Sequence, residues 1–244
     1  MEYFFTLEDR LPPGVGFTLW GPEHLRWLLI CFALGLPLCL GYRRLDRKGR
    51  DRLRRIAGWA VLALEAMKDL NLLVQGSLNL YYLPLHLCSL AVFFTFFHSL
   101  RPGPLLGNFL YSTCMPGALC ALLFPDWTVY PAFSYHSAVA FLAHGLLTAY
   151  PLMLLSGSDL RPELRRLPGC LCLLLSLSGL VYLFDRRFNV NYMFLLWPSP
   201  GSPLEFFDRL WGNPGYQLGF LPLILGIWTL LYLPFLKRPK SGEQ

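Results

Sequence analysis

The sequence has few charged residues, which make up 15% of its 244 positions. Soluble domains carry about a quarter, so the chain lacks the polar surface that a soluble fold needs. It also lacks three common functional motifs. There is no C-x-x-C pair for thiol or zinc chemistry, no glycine-rich loop for nucleotide binding and no G-x-S-x-G motif for serine hydrolysis. We therefore exclude a soluble enzyme, a secreted disulfide scaffold and a nucleic-acid-binding domain.

Two further absences narrow the class of membrane protein. No internal repeat aligns with another part of the chain, which argues against the duplicated folds of many secondary transporters. The N-terminus has no basic stretch ahead of its first apolar run, so we expect no secretory signal.

Apolar residues are abundant, at 55% of the chain, and they occur in blocks. Each block is close to the ~20 residues that a helix needs to cross ~30 Å of hydrocarbon. The pattern predicts an all-α polytopic membrane protein, in which residues 1–244 form one domain of seven transmembrane helices. The predicted helices cover residues 24–42, 56–75, 82–100, 106–124, 133–155, 168–184 and 216–236.

The distribution of charge predicts how these helices are oriented. Residues 43–55 hold eight basic and two acidic side chains, whereas residues 1–23 hold four acidic side chains and one basic. The tail contains the basic sequence KRPK (237–240). Because basic loops stay in the cytoplasm, we expect the N-terminus outside and the C-terminus in the cytoplasm of a multi-pass cell-membrane protein.

Ionisable residues inside the second predicted helix indicate a functional layer. Glu65, Lys68 and Asp69 share one helix face, where Lys68 can pair with Glu65. Charged side chains in hydrocarbon are costly and mark functional sites by default. Two interpretations remain open, namely a structural polar knot between helices and a polar cavity that supports chemistry.

A rise of 1.5 Å per residue places several reactive side chains at one depth in the outer half of the membrane. They are Asp69, Cys88 and either His136 or His144. A thiol, an imidazole and a carboxylate are the groups that covalent acyl transfer requires. On a helix, His86 points away from Cys88, so these two residues are not expected to pair. The other six cysteines are interpreted as small packing residues.

The segment LPLHLCSL (83–90) resembles the signature of the YwaF-like bacterial integral membrane proteins, which are related to the eukaryotic transmembrane protein 164 group. The resemblance implies a cysteine-dependent acyltransferase that moves a fatty acyl chain between phospholipids or lysophospholipids, without a metal or other cofactor. It implies Cys88 as the nucleophile and His144 as its partner. Four further segments are similar in the same order, WGPEHL (20–25), PLLGNFLYSTCMPGALCALLFPD (104–126), AFLAHGLLTAYPL (140–152) and NVNYMFLLWPSPGSPLEFF (189–207).

The predicted outer link 185–215 offers groups that suit a lipid headgroup. Arginines clamp phosphate bidentately, and asparagine and tyrosine supply donors and acceptors. An interfacial aromatic belt with Trp197 and Trp211 is the alternative interpretation. The candidate headgroup residues are Arg186, Arg187, Asn189, Asn191 and Tyr192.

The hypothesis is a ping-pong transfer through a Cys88 thioester. In it, Asp69 or Glu65 orients His144, Lys68 or a backbone N–H stabilises the oxyanion, and FFTFF (93–97) lines an acyl groove.

The sequence is also compatible with two other functions. A zinc-dependent intramembrane lipid hydrolase would take three ligands from His86, Cys88, His136 and His144. A non-enzymatic lipid-binding protein would leave Cys88 inert. The sequence does not fix the oligomeric state.

Overall fold

A computed structural model describes residues 3–199 and 201–236, and all regular structure within them is helical. Short 3₁₀ turns connect or extend several of the helices. The eight main helices are α1 (Pro22–Arg44), α2 (Arg47–Val74), α3 (Leu87–Leu100), α4 (Pro104–Leu123), α5 (Tyr135–Ser156), α6 (Leu167–Phe188), α7 (Pro203–Trp211) and α8 (Phe220–Tyr232).

Five segments are long and apolar enough to cross a membrane, which confirms the all-α membrane class. α2 has the length but carries more charge than such a span, and α3 has only 14 residues. The seven-span count and the orientation of the termini stay predictions, and the KRPK tail lies outside the described residues. The five segments are Pro22–Arg44, Pro104–Leu123, Tyr135–Ser156, Leu164–Phe188 and Gly215–Phe235.

The basic run 43–55 was predicted to be a loop, and this prediction is wrong. Only Leu45 and Asp46 separate α1 from α2, and Asp46 accepts a hydrogen bond from the Gly49 N–H at 2.9 Å as an N-cap. Arg54 is buried, and its Nε donates to the carbonyl of Ser99 at 3.1 Å. Arg43 and Arg44 therefore end α1, and the other basic residues of the run form the first turns of a helix that packs on α3.

α3 begins five residues later than the predicted start at residue 82. Pro84 disfavours the helical conformation of the residue before it, and Leu83 is extended with ψ 147°. The first helical hydrogen bond runs from the Leu90 N–H to the His86 carbonyl at 3.0 Å. Cys88 therefore lies in the first turn of α3 rather than in its second.

α4 contains a π-helical turn at Leu110–Cys114, just before Pro116. Pro116 has no N–H to donate to the carbonyl of Ser112, four residues earlier. The Trp228 indole donates to that carbonyl at 3.1 Å. Pro116 therefore accounts for the π-helical turn, and it leaves the Ser112 carbonyl free to accept the hydrogen bond that joins α8 to α4.

The main core lies where α2, α3, α4 and α5 meet, and α6 and α8 add the buried residues Cys170, Leu174, Trp228 and Tyr232 to it. α1 packs along α5, and α2 packs against both α3 and α5. Fully buried members of this core include Val61, Val92, Phe109, Tyr150 and Met153.

The link predicted at 185–215 contains more helix than expected. α6 continues through Phe188, so Asp185 lies in its last turns and is completely buried. α7 is amphipathic, with Phe206 and Leu210 exposed on one side and Leu204 buried. α7 is short, and polar side chains interrupt its apolar residues. It therefore has no 20-residue apolar run, which explains why hydropathy alone missed it.

The close approach of α2 and α3 at Gly58 provides a test of the core. A Cβ at this position would lie 2.5 Å from Ser99 Cβ, so Gly58→Ala must push the helices apart. We expect a loss of about 1–3 kcal/mol in the free energy of unfolding, measured by thermal unfolding in detergent.

The matched control is Gly41→Ala in α1, where a Cβ meets no atom within 4 Å. Alanine favours a helix over glycine, so this variant should be at least as stable as the original protein. Equal melting temperatures for the two variants would contradict the close packing of α2 and α3.

Candidate functional site

Cys88 lies at the N-terminal end of α3, where backbone donors are available. The N–H groups of Leu87, Cys88 and Ser89 precede the first helical hydrogen bond and have no partner among the described residues. A helix N-terminus carries partial positive charge, which stabilises a thiolate or an oxyanion. The thiol is half-buried against the main core, so apolar burial opposes ionisation and the helix end favours it.

His144, in the middle of α5, has a defined tautomer. Its Nδ1 lies 2.8 Å from the carbonyl of Ala140, and a carbonyl oxygen only accepts, so Nδ1 carries the proton. In the neutral ring, Nε2 is then left with a lone pair, and it has no partner among the described residues. Trp127 stacks on the ring, with centroids 5.0 Å apart.

His86 precedes α3 and has the opposite tautomer. The backbone N–H of Met193 donates to its Nδ1 at 3.3 Å, so in the neutral ring Nε2 carries the proton. The rings of Tyr192 and Phe194 flank the imidazole at 5.0 and 5.6 Å. The two histidines therefore offer one proton acceptor and one proton donor.

Two carboxylates connect these groups electrostatically. Glu65 and Asp126 both lie within electrostatic range of Cys88, His86 and His144. The two histidines also lie within range of each other. Cys88, His86 and His144 thus share the electrostatic influence of the same two carboxylates.

In the charged cluster of α2, Lys68 pairs closely with Glu65 and also contacts Asp69. Lys68 Nζ lies 2.6 Å from Glu65 Oε1 and 3.4 Å from Asp69 Oδ1. Asp69 Oδ1 is buried without a hydrogen bond in the described part of the chain. Neither carboxylate makes the expected contact with His144 there, because Nδ1 bonds to its own helix instead.

His136 lies in a different environment from His144. Its ring stacks on Tyr130, with centroids 4.8 Å apart, and packs edge-on against Tyr135. The N-terminal segment closes this pocket, since the Tyr135 N–H donates to the carbonyl of Phe4 at 2.8 Å. His136 therefore lies in an aromatic pocket that the N-terminal segment closes.

The loop after α6 uses most of its polar groups to hold its own structure. The Tyr192 hydroxyl donates to the Leu80 carbonyl and accepts from the Leu83 N–H, the latter at 2.9 Å. Asn191 accepts from the N–H of Leu196 at 2.8 Å and donates to the Trp197 carbonyl at 2.8 Å. Tyr192 thus supports the segment that leads to Cys88, and Asn191 holds the loop after α6.

The remaining headgroup candidates lie at the end of α6. Asn189 ends the helix in the left-handed conformation, with φ 53°. Arg186 and Arg187 are exposed and have no carboxylate partner among the described residues, and Arg187 lies over the Phe188 ring at 5.4 Å. These two arginines keep the predicted potential to bind phosphate.

Backbone strain is concentrated beside His86. Met193 and Phe194 are both left-handed, with φ of 53° and 56°. Such conformations cost on the order of 1 kcal/mol or more for residues with side chains, and they cluster at functional sites. Here they direct the Met193 N–H toward His86.

The phenylalanine-rich run 93–97 is used for packing rather than as an open groove. Phe94 meets Phe109 edge-on in the core at 5.5 Å, and Phe96 meets Trp59 at 4.7 Å. Phe97 is exposed on the outside of the bundle.

No three histidine, cysteine, aspartate or glutamate side chains converge as metal ligands within residues 3–199 and 201–236. The zinc-dependent alternative therefore has no ligand set in the part of the chain that the structure describes.

Sequence reasoning missed Asp126 and Trp127. Asp126 is exposed in the link after α4, and its charge acts on the Cys88 thiol and on both His86 and His144. Trp127 covers His144, and its indole nitrogen is buried without a partner in the described residues. A proline, an aspartate and a tryptophan directly after an apolar run were the only signal.

The sequence profile of the TMEM164 family matches residues 19–232. A protein of Treponema pallidum (strain Nichols), itself uncharacterized, is 27% identical over 215 residues, which cover 88% of this chain and 83% of that one. No solved structure matches the chain.

The support that Tyr192 gives to the segment before α3 is testable. Tyr192→Phe leaves the Leu80 carbonyl and the Leu83 N–H without their partner, and we expect a loss of about 1–3 kcal/mol in stability. Amide hydrogen exchange should accelerate in residues 80–90. The control is Tyr81→Phe, because the Tyr81 side chain is 66% exposed, and unchanged exchange in Tyr192→Phe would refute the role.

Proposed function

The chain belongs to the TMEM164 family, and we propose that it is a membrane-embedded cysteine acyltransferase. In this proposal it moves a fatty acyl chain between phospholipids and lysophospholipids through a thioester on Cys88. We further propose that it belongs to the YwaF-like bacterial branch and acts in the cell membrane.

The observation that carries the proposal is the position of Cys88 in the first turn of α3. Three backbone N–H groups lie at the same helix end, with no partners among the described residues. Acyl transfer develops negative charge on the carbonyl oxygen, and preorganised donors at that point are a large source of rate enhancement. A thiol and an oxyanion site would thus share one helix terminus.

His144 supplies the base in the first half of the reaction. Its Nε2 lone pair takes the thiol proton as Cys88 Sγ forms a bond to the ester carbonyl carbon of the donor lipid. The tetrahedral intermediate then expels the glycerol oxygen, which takes the proton from His144 and leaves as a lysolipid. The products of this half are a Cys88 thioester and a neutral imidazole.

The second half runs the same proton transfers in reverse order. His144 takes the proton of the acceptor hydroxyl as that oxygen attacks the thioester carbonyl. The carbon–sulfur bond breaks, and the Cys88 sulfur takes the proton back. No redox step is needed, because acyl transfer changes no oxidation state.

His86 is suited to donate rather than accept in this scheme. Its Nδ1 is occupied by the Met193 N–H, so the Nε2–H is available to the carbonyl oxygen as a further oxyanion donor. Lys68 is less suited to that role, since Glu65 holds it at 2.6 Å. Arg186 and Arg187 would bind the phosphate of the lipid headgroup from the end of α6.

The thioester is the direct test of the proposal. We expect the intact mass of the purified protein to rise by one fatty acyl chain after incubation with phospholipid, and hydroxylamine to remove the added mass. Cys88→Ala should gain no acyl chain, whereas the control Cys172→Ala, which alters an exposed cysteine on α6, should gain it normally. An unmodified wild-type protein across several lipid classes would leave a non-enzymatic lipid-binding role.

The choice of His144 as the base gives a second prediction. His144→Ala should slow acylation of Cys88 by about 10²–10⁴-fold, because the thiol loses its proton acceptor. His136→Ala should change the rate little, since that ring packs between Tyr130 and Tyr135. A greater loss in His136→Ala, measured by the same mass assay over time, would show that the base is assigned to the wrong histidine.

A further inference from the structure

A polar cavity of about 270 Å³ lies at the other end of the bundle from Cys88. It opens between the end of α3, the start of α4 and the link between α5 and α6. His98, in its wall, is ten residues beyond Cys88 on α3, or about 15 Å along the helix. The polar side chains that line it are His98, Asn108, Ser158, Asp159, Arg161 and Glu163.

One ring nitrogen of His98, in the cavity wall, makes no hydrogen bond within the described residues. The residue is 4% exposed, and its Nδ1 lies 2.9 Å from the Tyr150 hydroxyl. Its Nε2 has no hydrogen-bond partner among the described residues, and a Cβ added to Gly107 would lie 3.1 Å from it. A buried imidazole nitrogen thus faces the first turn of α4.

The start of α4 adds backbone donors beside His98. Its first helical hydrogen bond runs from the Gly107 N–H to the Gly103 carbonyl, so the N–H groups of Leu105 and Leu106 are left open there. Pro104 at the first position has no N–H. A helix N-terminus with open N–H groups attracts anions, and α4 is 20 residues long.

The charges around the cavity leave a positive surplus. Asp159 accepts from the Tyr42 hydroxyl at 2.7 Å and lies 3.8 Å from Arg50. Glu163 accepts from both Arg165 and Arg166, at 2.8 and 2.9 Å. The hydrogen bond from Arg165 lowers the pKa of Glu163, so this carboxylate stays ionised and paired.

Arg161 is the cation in the lining that remains for a ligand. It is exposed and has no carboxylate partner in the described ranges. Asp159 and Glu163 pair with three guanidinium groups, and Arg161 adds a fourth, so the cavity and its immediate surroundings carry two more positive charges than negative ones. The cavity therefore favours an anion over a cation.

We propose that this cavity is a second binding site, separate from Cys88, that holds a phosphate group. Arg161 binds the phosphate oxygens in a charge-assisted contact, and His98 Nε2 and the first turn of α4 donate to them. The phosphate belongs to a lipid headgroup or is free in solution, and both ligands share this chemistry.

Binding is measured by thermal unfolding of the full-length protein in detergent at constant pH and ionic strength. One arm adds millimolar inorganic phosphate. The other adds micelles with a dialkyl ether phosphatidic acid, which has a phosphomonoester but no acyl ester to transfer. Micelles with dialkylglycerol, which lacks the phosphate, are the blank.

We expect at least one phosphate ligand to raise the melting temperature by about a few degrees. Arg161→Gln should weaken the apparent affinity about tenfold, because one charge-assisted contact is lost. The matched control is Arg52→Gln, which removes an exposed guanidinium from α2 that does not line the cavity and should leave the shift unchanged. His98→Gln should also weaken binding, and Arg161→Gln decides the result if that buried variant does not fold.

The outcomes separate the two sources of phosphate. A shift with both ligands indicates that the site recognises phosphate itself, and a shift with one alone identifies that source. No shift with either ligand, or an equal shift in Arg161→Gln, overturns the proposal. Cys88→Ala should keep the full shift, so this result stands or falls independently of acyl transfer.

Discussion

Hydrogen bonding of the backbone in an apolar environment is the constraint on which this structure depends. In hydrocarbon an unpaired N–H or carbonyl costs several kcal/mol, so every break in a helix needs a partner from elsewhere. Pro84 delays the start of α3, and the Tyr192 hydroxyl pairs two backbone groups of the preceding segment. Pro116 frees the carbonyl of Ser112, and Trp228 donates to it. The N–H groups that remain open at the start of α3 lie beside Cys88.

The two histidines near Cys88 gain complementary roles from the same constraint. The Ala140 carbonyl fixes a proton on Nδ1 of His144, and the Met193 N–H occupies Nδ1 of His86. One Nε2 accepts a proton and the other donates one, as a transfer with a developing oxyanion requires. The strained backbone at Met193 and Phe194 holds the Met193 N–H in place against His86 Nδ1.

The sequence predicted the helices best where apolar runs were uninterrupted. The predicted bounds of α1 and α5 lie within two residues of the observed ones. Prediction failed where charge or proline altered a boundary, as in the basic start of α2 and the late start of α3. Cys88 and His144 are candidates proposed from the sequence, but their local settings could not be predicted from it. Tautomers depend on contacts across the fold, such as that of His86 with Met193, and no local pattern encodes them.

The central claim is that an acyl group on Cys88 is an intermediate rather than a by-product. The most direct measurement isolates the acylated protein, free of donor lipid, and adds an isotopically labelled lysophospholipid. The account predicts that the acyl chain leaves the protein and appears on the lysophospholipid at a rate no slower than the overall transfer. An acyl chain that stays on Cys88, or that leaves only to water, would contradict it.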